Sequence, residues 1–518
     1  MSTLLGPLLQ FLGVQNQCWC VSVLVVTDTA TAPTLQSAAA ADPFALLCNL
    51  QSGASVWRAT LAVNLAADAQ RVSYNVEGQA NTLYVPADGE SPRMAYGSCN
   101  GFSSPSLMKG VADKNALWKR LMNLHEGRER INERSFGPYH LLLMGGDQVY
   151  SDTLWQDPTC PDMVAWSELP RNQRRQAPWT SALQQQVTAF FERLYLRQWS
   201  QPEVAAIWAN LPSVMMWDDH DIFDGWGSYP LADHDCPVYQ GVFAVARTFF
   251  ALFQRHSLVD APPPCTLPQQ GAFTAGYRMG NTGLLALDMR SERSPERQSG
   301  GNLQCAQVLS EASWKAAYQW LDAQEGLTHL LLMSSIPVVH PSFELLEKLL
   351  GVLPGQQELE DDLRDHWTSM PLRAERLRLI HRLFQFSQDK GCRVTVLSGD
   401  VHVAALGVLE SRRNATDTNA QANAQIITQL TSSGVVHPPP AAMVRFFLEN
   451  ACMRVEAVDR GINAAMYEFP ASVRRVIGAR NFLTLEFDEA SSAAPRLWAN
   501  WWVENEAQPS TKVIHPVG

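Results

Sequence analysis

Side chains that can bind a metal ion follow apolar runs in four separate segments of the chain. They are Cys99, Asp147, Tyr150, Asp218, Asp219, His220, Asp400 and His402. Any one of them alone is better explained by a helix cap or an ordinary polar residue. Several carboxylates gathered in one cleft would repel one another unless cations neutralise them. The joint pattern therefore predicts a metal centre.

The segment Gly145-Gly146-Asp147 predicts a carboxylate that bridges two ions. The glycines allow a sharp turn, and the two oxygens of Asp147 can each bind one ion. Bridging suits ions about 3.5–4 Å apart, as in two-metal hydrolytic sites. Tyr150 can bind as a phenolate only to a strongly Lewis-acidic ion, because a free phenol has a pKa of about 10. We therefore expect Fe(III) in one position and a divalent ion such as Ca²⁺, Zn²⁺ or Mn²⁺ in the other.

Two interpretations stay open for the cysteine of Gly97-Ser98-Cys99-Asn100. As a thiolate, Cys99 would bind the same ion as Tyr150, since coordination is one of the few ways to keep a thiol deprotonated at neutral pH. As a thiol, it would be a small buried hydrophobic residue at the end of a strand.

The segment from Trp217 to Asp221 places carboxylates on both sides of an imidazole, and its acids could orient that ring. His220 could stabilise a pentacoordinate phosphorus or protonate a leaving alkoxide. Asp400 and His402 lie two positions apart, so both side chains point the same way if the strand continues through them. We expect both to bind metal.

Further polar residues follow other apparent strands. Arg290, in the segment Asp288-Met289-Arg290, could clamp a phosphate with two hydrogen bonds, or it could form a surface ion pair. His340, His437 and the turn at residues 432–434 could support the metal ligands or could be ordinary loop residues.

The elements that would position these groups are predicted by apolar runs of four to six residues, which alternate with helical stretches from about residue 93. Such runs without alternation are typical of strands buried on both faces of an α/β sheet. Helical periodicity covers residues 182–199, 312–324 and 371–389. Ligands bind at the carboxyl ends of strands in such sheets, so the four segments can converge although they are far apart in sequence.

The remaining segments divide the chain into two predicted domains. Alternating segments in residues 1–90 predict a small β-sandwich, which leaves residues 91–518 as the catalytic domain. Three stretches without core-forming periodicity are predicted loops, at residues 157–178, 258–271 and 411–424. The segments FLTLEFD and RLWANWWVE predict a closing hairpin whose tryptophans pack in the core.

Composition excludes several classes of protein. The 518 residues are 46% hydrophobic and 18% charged, which is typical of a globular chain and not of a disordered one. A formal net charge of −11 without a basic run disfavours duplex nucleic acid as a partner. The first residues lack the basic region of a signal peptide and no apolar run is long enough for a bilayer, so we expect a cytoplasmic protein without a membrane span. The oligomeric state stays open.

Taken in order, the motifs GSCN, GGDQVYSD, WDDHD and LSGDVH resemble alkaline phosphatase D, or PhoD-like, metallophosphatases of the calcineurin-like superfamily. The resemblance covers roughly residues 90–500, and the leading β module resembles the sandwich that precedes the catalytic domain in these proteins. It implies a four-layer α/β/β/α fold. It also implies hydrolysis of small-molecule or lipid phosphomonoesters or phosphodiesters by a metal-activated hydroxide.

The resemblance also implies roles for individual residues. Cys99, Asp147, Tyr150 and one aspartate of the Asp218-Asp219 pair would bind an iron-like ion. Asp147, Asp219, Asp400 and His402 would bind the second ion, and His220 would be the acid or stabiliser. The alternative is a non-catalytic protein that binds metal or a partner on the same scaffold. The presence of His220, Asp400 and His402 argues against that alternative, and neither G-x-S-x-G nor H-E-x-x-H is present to suggest a serine hydrolase or a zincin.

Overall fold

The structure is a computed structural model, and it describes residues 2–268, 271–299, 302–304, 306–341, 372–412, 425–470, 472–488 and 495–517. The α-helices of these residues are α1 (Pro105–Lys109), α2 (Ala116–His125), α3 (Pro161–Ser167), α4 (Arg171–Arg174), α5 (Ser181–Trp199), α6 (Pro202–Asn210), α7 (Leu231–His234), α8 (Pro237–Phe249), α9 (Glu311–Asp322), α10 (Arg373–Lys390) and α11 (Ala442–Ala451). Short 3₁₀ turns cover Asp152–Gln156 and Asp219–Asp221, and a π-helical turn covers Phe250–Gln254.

The strands fall into a first half and a second half of the chain. The first are β1 (Thr3–Gln15), β2 (Cys18–Thr27), β3 (Leu35–Ser37), β4 (Ala40–Ala41), β5 (Ala45–Asn49), β6 (Ser55–Asn64), β7 (Gln70–Val76), β8 (Gln79–Val85), β9 (Met94–Gly97), β10 (Leu141–Gly145) and β11 (Ser213–Met216). The second are β12 (Ala275–Met279), β13 (Thr282–Ala286), β14 (Arg297–Ser299), β15 (Asn302–Gln304), β16 (His329–Ser334), β17 (Arg393–Ser398), β18 (Ala404–Ser411), β19 (Ile426–Ser432), β20 (Glu456–Asp459), β21 (Ile462–Tyr467), β22 (Val476–Ile477), β23 (Asn481–Phe487), β24 (Leu497–Val503) and β25 (Ser510–Ile514).

Two large mixed sheets dominate this α/β fold. The first has the order β25-β24-β23-β9-β10-β11-β1-β2-β6-β4, and β5 also pairs with β6. The second has the order β12-β13-β16-β17-β19-β18-β21-β20, and β22 also pairs with β18. Parallel pairing joins β9, β10 and β11 in the first sheet and β13, β16, β17 and β19 in the second. Every residue of β10, β16 and β17 is buried, which confirms the prediction from the uninterrupted apolar runs.

The core consists of three apolar clusters, and the sheets share one of them. That cluster joins Leu143 and Val214 of the first sheet to Leu331 and Leu397 of the second. A second cluster joins the first sheet to α2, α5, α6 and α8, and a third joins the second sheet to α9 and α10. Hydrophobic burial therefore ties helices to each sheet and the sheets to each other.

The N-terminal strands form β-structure as predicted, and most of them belong to the first large sheet. A separate sandwich stays a prediction. Strand β1 pairs in parallel with β11, with Gln10 opposite Ser213, so β1, β2 and β6 extend the first large sheet. Only β3, β7 and β8 form a separate small sheet. Alternation within a strand predicts one buried face but does not identify the neighbouring strand. Because β1 pairs with β11, residues on both sides of position 90 belong to one sheet. The division into two domains at that position stays a prediction.

The predicted helices are confirmed by α5, α9 and α10, but one predicted loop is wrong. Residues 157–178 contain α3 and α4, because Met163 and Trp166 form a buried apolar face on α3. The described part of residues 258–271 contains no helix or extended strand. Most of the stretch at 411–424 lies outside the described residues. The closing hairpin is confirmed: β23 and β24 pair antiparallel, with Trp501 and Trp502 fully buried.

Among the residues that the structure describes, none of the helices has the length and apolar character needed to cross a bilayer.

Two buried histidines before β10 make the stability of the fold depend on pH. The Nδ1 atom of His140 accepts a hydrogen bond from the backbone N–H of Arg93 at 3.0 Å, and Nδ1 of His125 accepts one from Tyr139 at 3.2 Å. Both acceptors require a neutral ring. Burial lowers the pKa of His140 to about 3 and that of His125 to about 4. An unfolded histidine titrates near about 6.5.

The unfolded state therefore binds more protons than the folded state below about pH 6.5, and stability falls as the pH falls. For His140 alone, we expect the free energy of unfolding at pH 5 to be lower by about 2 kcal/mol than at pH 7.5. The variant His140→Asn keeps a hydrogen-bond acceptor but does not titrate. Its free energy of unfolding in urea should therefore fall less between pH 7.5 and pH 5 than that of the wild-type protein. The control is His515→Asn at an exposed position. Equal pH dependence in all three proteins would disprove the assignment.

Candidate metal centre

The predicted ligands all lie just beyond the carboxyl ends of four parallel strands. Cys99 follows β9, Asp147 follows β10, Asp218 and Asp219 follow β11, and Asp400 follows β17. The first three strands are neighbours in the first sheet, and β17 belongs to the second. Both sheets therefore contribute ligands to one edge of the core.

The backbone at this edge adopts conformations that side chains other than glycine seldom adopt. The φ angle is 58° at Cys99, 57° at Asp147, 69° at Asp400 and 52° at His402. Such residues concentrate at functional sites, where the surrounding structure holds them in place. Asp400 and His402 lie beyond the strand and not on it, because β17 ends at Ser398.

Three overlapping groups of potential ligands have donor atoms that all lie within 4.8 Å of one another. They are Cys99 with Asp147 and His402; Asp147 with Asp219 and His220; and Asp218 with Asp219 and Asp400. Asp147 belongs to the first two groups and Asp219 to the last two. The structure thus brings together residues from all four predicted segments, and the shared carboxylates link the groups.

The first group is enclosed by aromatic rings and hydroxyl groups. The thiol sulfur of Cys99 lies 3.4 Å from Oδ2 of Asp147 and 3.1 Å from the hydroxyl of Ser433. The Tyr150 hydroxyl lies 3.3 Å from Nε2 of His402, and burial raises the pKa of this phenol well above its usual value. His437 stacks on His402 with ring centroids 3.7 Å apart. Ser433 and His437, whose roles the sequence left open, therefore lie at the site.

His220 is held by a carboxylate from a different segment than predicted. Its Nδ1 atom lies 2.8 Å from Oδ2 of Asp152, and the other oxygen of Asp152 accepts the backbone N–H of Asp224 at 2.9 Å. Asp221, which follows His220 directly, accepts hydrogen bonds from other groups instead. Burial opposes protonation of His220, but the carboxylates of Asp152, Asp219 and Asp147 outweigh it and raise the pKa of the imidazole well above its usual value.

Asp221 instead organises the ligand-bearing loops. Its oxygens accept N–H bonds from the backbone of residues 147, 148, 149 and 218, at 2.8, 3.1, 3.2 and 3.0 Å. They accept a fifth, at 2.9 Å, from the side chain of Gln254 at the end of the π-helical turn. One buried carboxylate therefore fixes the positions of both Asp147 and Asp218.

Arg290 is fully buried and bound to predicted metal ligands, so it does not face an open cleft. Its Nε atom donates to Oδ1 of Asp218, its Nη2 lies 3.3 Å from Oδ1 of Asp219, and its Nη1 donates to the backbone carbonyl of Trp226 at 2.8 Å. The alternative prediction, a surface ion pair, is wrong, because Arg290 is buried together with its partners Asp218 and Asp219. Phosphate binding by Arg290 stays a prediction that this arrangement does not favour.

The two glycines before Asp147 are required by close contacts. A Cβ atom on Gly145 would overlap the hydroxyl of Tyr96, and one on Gly146 would lie 2.6 Å from Cβ of Asp218. Gly146 also has a φ of 113°, which disfavours any side chain. The predicted sharp turn is confirmed.

The chemistry of these donors fits bound cations. Burial, then the neighbouring Cys99, Asp218 and Asp219, raise the pKa of Asp147 well above its usual value, which is the cost of gathering acids without a counter-charge. Among the described residues, the buried Oδ1 atom of Asp147 has no hydrogen-bond partner. A carboxylate oxygen left without a partner inside the core is free to bind a metal ion. Sulfur, nitrogen and oxygen donors together suit transition metals and, in part, calcium.

Removing the carboxylate of Asp221 should loosen the centre. In Asp221→Asn, an amide N–H would face backbone N–H donors, so several buried donors lose their acceptor. We expect metal affinity to fall about 10- to 100-fold, the range found when support of metal ligands is lost. Calorimetric titration of the metal-free protein with metal measures this affinity. Asp162→Asn, on the exposed face of α3, is the control and should keep the affinity of the wild-type protein. Unchanged affinity in Asp221→Asn would contradict the role given to this residue.

The chain matches the family of PhoD related phosphatases over residues 86–356 and 352–461. It is 27% identical to the uncharacterised Saccharomyces cerevisiae protein YGR266W over 463 residues, which are 74% of this chain and 62% of that protein. The chain therefore spans less than two thirds of that relative's length. A solved structure described as the structure of PhoD aligns with 98% of this chain and 91% of its own, with a TM-score of 0.51 and 11% identity, which shows a shared fold. Since the family match covers well over half of the sequence, the chain belongs to the PhoD related phosphatases.

Proposed function

We propose that this chain hydrolyses phosphate esters at a dinuclear metal centre. The observation that carries the proposal is the set of three overlapping donor groups, linked through Asp147 and Asp219, at one edge of the two sheets. Membership of a phosphatase family supports the same reaction class.

In this proposal, two neighbouring ligand sets bind the two ions. Cys99, Asp147, Tyr150 and one of Asp218 and Asp219 would hold the first ion. Asp147, Asp219, Asp400 and His402 would hold the second. Cations held by these residues would supply the Lewis acidity that activates water and neutralises the charge of the phosphoryl group. The four-layer α/β/β/α arrangement belongs to the proposal too, and the three apolar clusters support it.

His220 would deliver a proton to the departing alkoxide. Asp152 occupies Nδ1 of the ring, so Nε2 is the nitrogen left to donate to substrate. The surrounding carboxylates favour the protonated imidazole, which is the form that a general acid requires. Asp152 would therefore act as a positioning residue that fixes the ring and its charge. Arg290 would position Asp218 and Asp219, and it would limit their mutual repulsion.

Turnover of p-nitrophenyl phosphate and bis-p-nitrophenyl phosphate by the purified, metal-supplied protein tests the proposed reaction. Hydrolysis of either compound is expected, and the ratio of the two rates distinguishes a monoesterase from a diesterase of small-molecule or lipid substrates. The second candidate function is metal or partner binding without catalysis. Two bound ions per chain with no turnover of either ester would favour that candidate and refute hydrolysis.

The identity of the ions is a separate part of the proposal. Fe(III) bound to the Tyr150 phenolate should give a visible charge-transfer band in the oxidised, metal-replete protein. In Tyr150→Phe, we expect the band to disappear while the second ion, proposed as Ca²⁺, Zn²⁺ or Mn²⁺, is retained. Elemental analysis with a visible spectrum measures both. A wild-type protein that holds iron without this band would contradict the role of Tyr150; Tyr139→Phe, at a buried tyrosine outside the centre, is the matched control.

A further inference from the structure

The most exposed large apolar side chains lie in one short part of the sequence. Among the residues that the structure describes, the side chains that are more than half exposed, from 57% to 82%, are Met443, Phe446, Met453, Val455 and Val473. Two lie on α11, two in the loop between α11 and β20, and one in the loop between β21 and β22. Apolar side chains exposed together mark an interaction site. We call these five residues the α11 surface.

Hydrogen bonds hold the three segments of the α11 surface together. The carboxylate of Glu449 on α11 accepts the backbone N–H groups of residues 475 and 476 at 2.9 and 3.0 Å, so the loop that carries Val473 lies against the helix. The backbone N–H of Met453 bonds to the last turn of α11 at 3.3 Å. The residues of α11 that are buried lie on its opposite face, so its exposed side chains point outward together.

Two arginines lie within this surface. Arg454 lies between Met453 and Val455 in the sequence, and Arg474 directly follows Val473. Both side chains are exposed, and neither guanidinium group forms a hydrogen bond or an ion pair with any residue that the structure describes. Each of the two loops therefore carries a cation beside its apolar side chains.

The acidic residues nearby do not neutralise these arginines, because each acid between positions 443 and 475 has another partner. The partners are backbone N–H groups for Glu449, Arg376 for Glu456, His381 for Asp459 and Arg475 for Glu468. At physiological ionic strength charges act over about 8 Å, so the acids elsewhere in this chain of net charge −11 are largely screened. The α11 surface is therefore apolar and locally positive.

An anionic lipid bilayer has the chemistry that matches both properties. Apolar side chains enter the boundary between headgroups and acyl chains, while arginines keep their charge at the level of the lipid phosphates. The negative potential of such a bilayer attracts cations that come close to it. A second copy of this chain matches less well, because a symmetric interface would bring the same two arginines together without an anion.

We infer that the α11 surface docks this protein on anionic lipid membranes, with Phe446 and its apolar neighbours in the bilayer boundary and Arg454 and Arg474 on lipid phosphates. Helix α11 begins five residues after His437, which stacks on His402. The start of the helix therefore lies at most about 18 Å from His437. Docking would hold the metal centre near lipid phosphate groups, and this consequence, unlike the docking itself, rests on the proposed function.

Co-sedimentation of the full-length, metal-supplied protein with lipid vesicles tests the inference. The protein should bind vesicles of mixed phosphatidylcholine and phosphatidylserine at least about tenfold more tightly than vesicles of phosphatidylcholine alone. Added salt should weaken the binding. No binding to the mixed vesicles would overturn the inference, and equal binding to both kinds of vesicle would refute the role of the arginines.

Variants at exposed positions, where the fold should persist, test the surface itself. The double variant Phe446→Ser with Val473→Ser should lower the affinity for mixed vesicles at least about tenfold. Arg454→Gln and Arg474→Gln should each lower it about fivefold and reduce its dependence on salt. The matched controls are Leu46→Ser on β5 and Arg197→Gln on α5, both exposed and in other parts of the fold, which should bind like the wild-type protein. Unchanged affinity in the folded double variant would refute the α11 surface.

Two further measurements separate the remaining outcomes. Sedimentation of the protein without lipid should show no association that depends on Phe446. A dimer that the double variant disrupts, together with no binding to vesicles, would assign the surface to a second copy and overturn the inference. Hydrolysis of soluble p-nitrophenyl phosphate should be the same in the double variant and the wild-type protein, so failure of docking and failure of the proposed function are distinguished.

Discussion

Replacement of Asp147 by asparagine is expected to lower kcat for p-nitrophenyl phosphate by about 10³-fold or more, with two ions no longer bound together. Asp147 belongs to two of the three donor groups, so its carboxylate is the natural bridge between the ions. Asparagine has the same shape but no charge and only one oxygen. The measurement pairs kcat with the ratio of metal to protein.

The fold should survive this substitution, because neutral asparagine avoids both the cost of burying a charge and the repulsion from neighbouring groups, which together raise the pKa of Asp147. Circular dichroism and the unfolding midpoint check this point. Asp389→Asn, at an exposed position in the last turn of α10, is the control and should keep full activity. Full turnover by Asp147→Asn would exclude the proposed bridging role.

Asp152→Asn is expected to lower kcat by about 10²- to 10⁴-fold for esters of poor leaving groups, the range for loss of general acid catalysis. The amide can still contact Nδ1 of His220, but it cannot hold the ring in its charged form. The loss should be much smaller for p-nitrophenyl phosphate, whose leaving group scarcely needs a proton. Comparison of alkyl and p-nitrophenyl esters therefore separates proton delivery from metal binding.

Metal content should be unchanged in Asp152→Asn, because Asp152 belongs to none of the three donor groups found among the described residues. Asp157→Asn, a few residues along the same segment, removes a carboxylate that pairs with Arg193 and serves as the control. Equal losses for good and poor leaving groups would show that Asp152 does not act through the proton of His220.

The ligands could be predicted from sequence because each follows an uninterrupted apolar run. Buried parallel strands have this pattern, and their carboxyl ends meet at one edge of a sheet. The sequence thus predicts that Cys99, Asp147 and Asp400 lie together, and this prediction does not require the strand order. Whether Cys99 binds as a thiolate stays a prediction, since burial raises the pKa of this thiol and only a bound cation would reverse that effect.

The residues that support the ligands could not be predicted, because their partners are distant in sequence or bonded to backbone atoms. Asp152 meets His220 across 68 positions, and nothing in the sequence distinguishes it from a helix cap. The sequence predicts that acids such as Asp221 orient His220, but four of the five hydrogen bonds that Asp221 accepts come from the backbone of the ligand-bearing loops. Gln254 depends on a π-helical turn, which has no sequence signal of the kind that periodicity gives for an α-helix.

The place of the N-terminal strands in the first large sheet could not be predicted, for a related reason. The alternation in β2 and β6 predicts strands but does not identify the strands beside them. A single parallel contact between β1 and β11 makes β1, β2 and β6 part of the first large sheet.

The most direct measurement of the central claim is hydrolysis by metal-stripped protein as metal is returned in known amounts. Stripped protein should be inactive, and activity should rise to a plateau at two ions per chain, with Asp147→Asn showing no such rise. Hydrolysis at the full rate by protein that holds no metal would contradict the account.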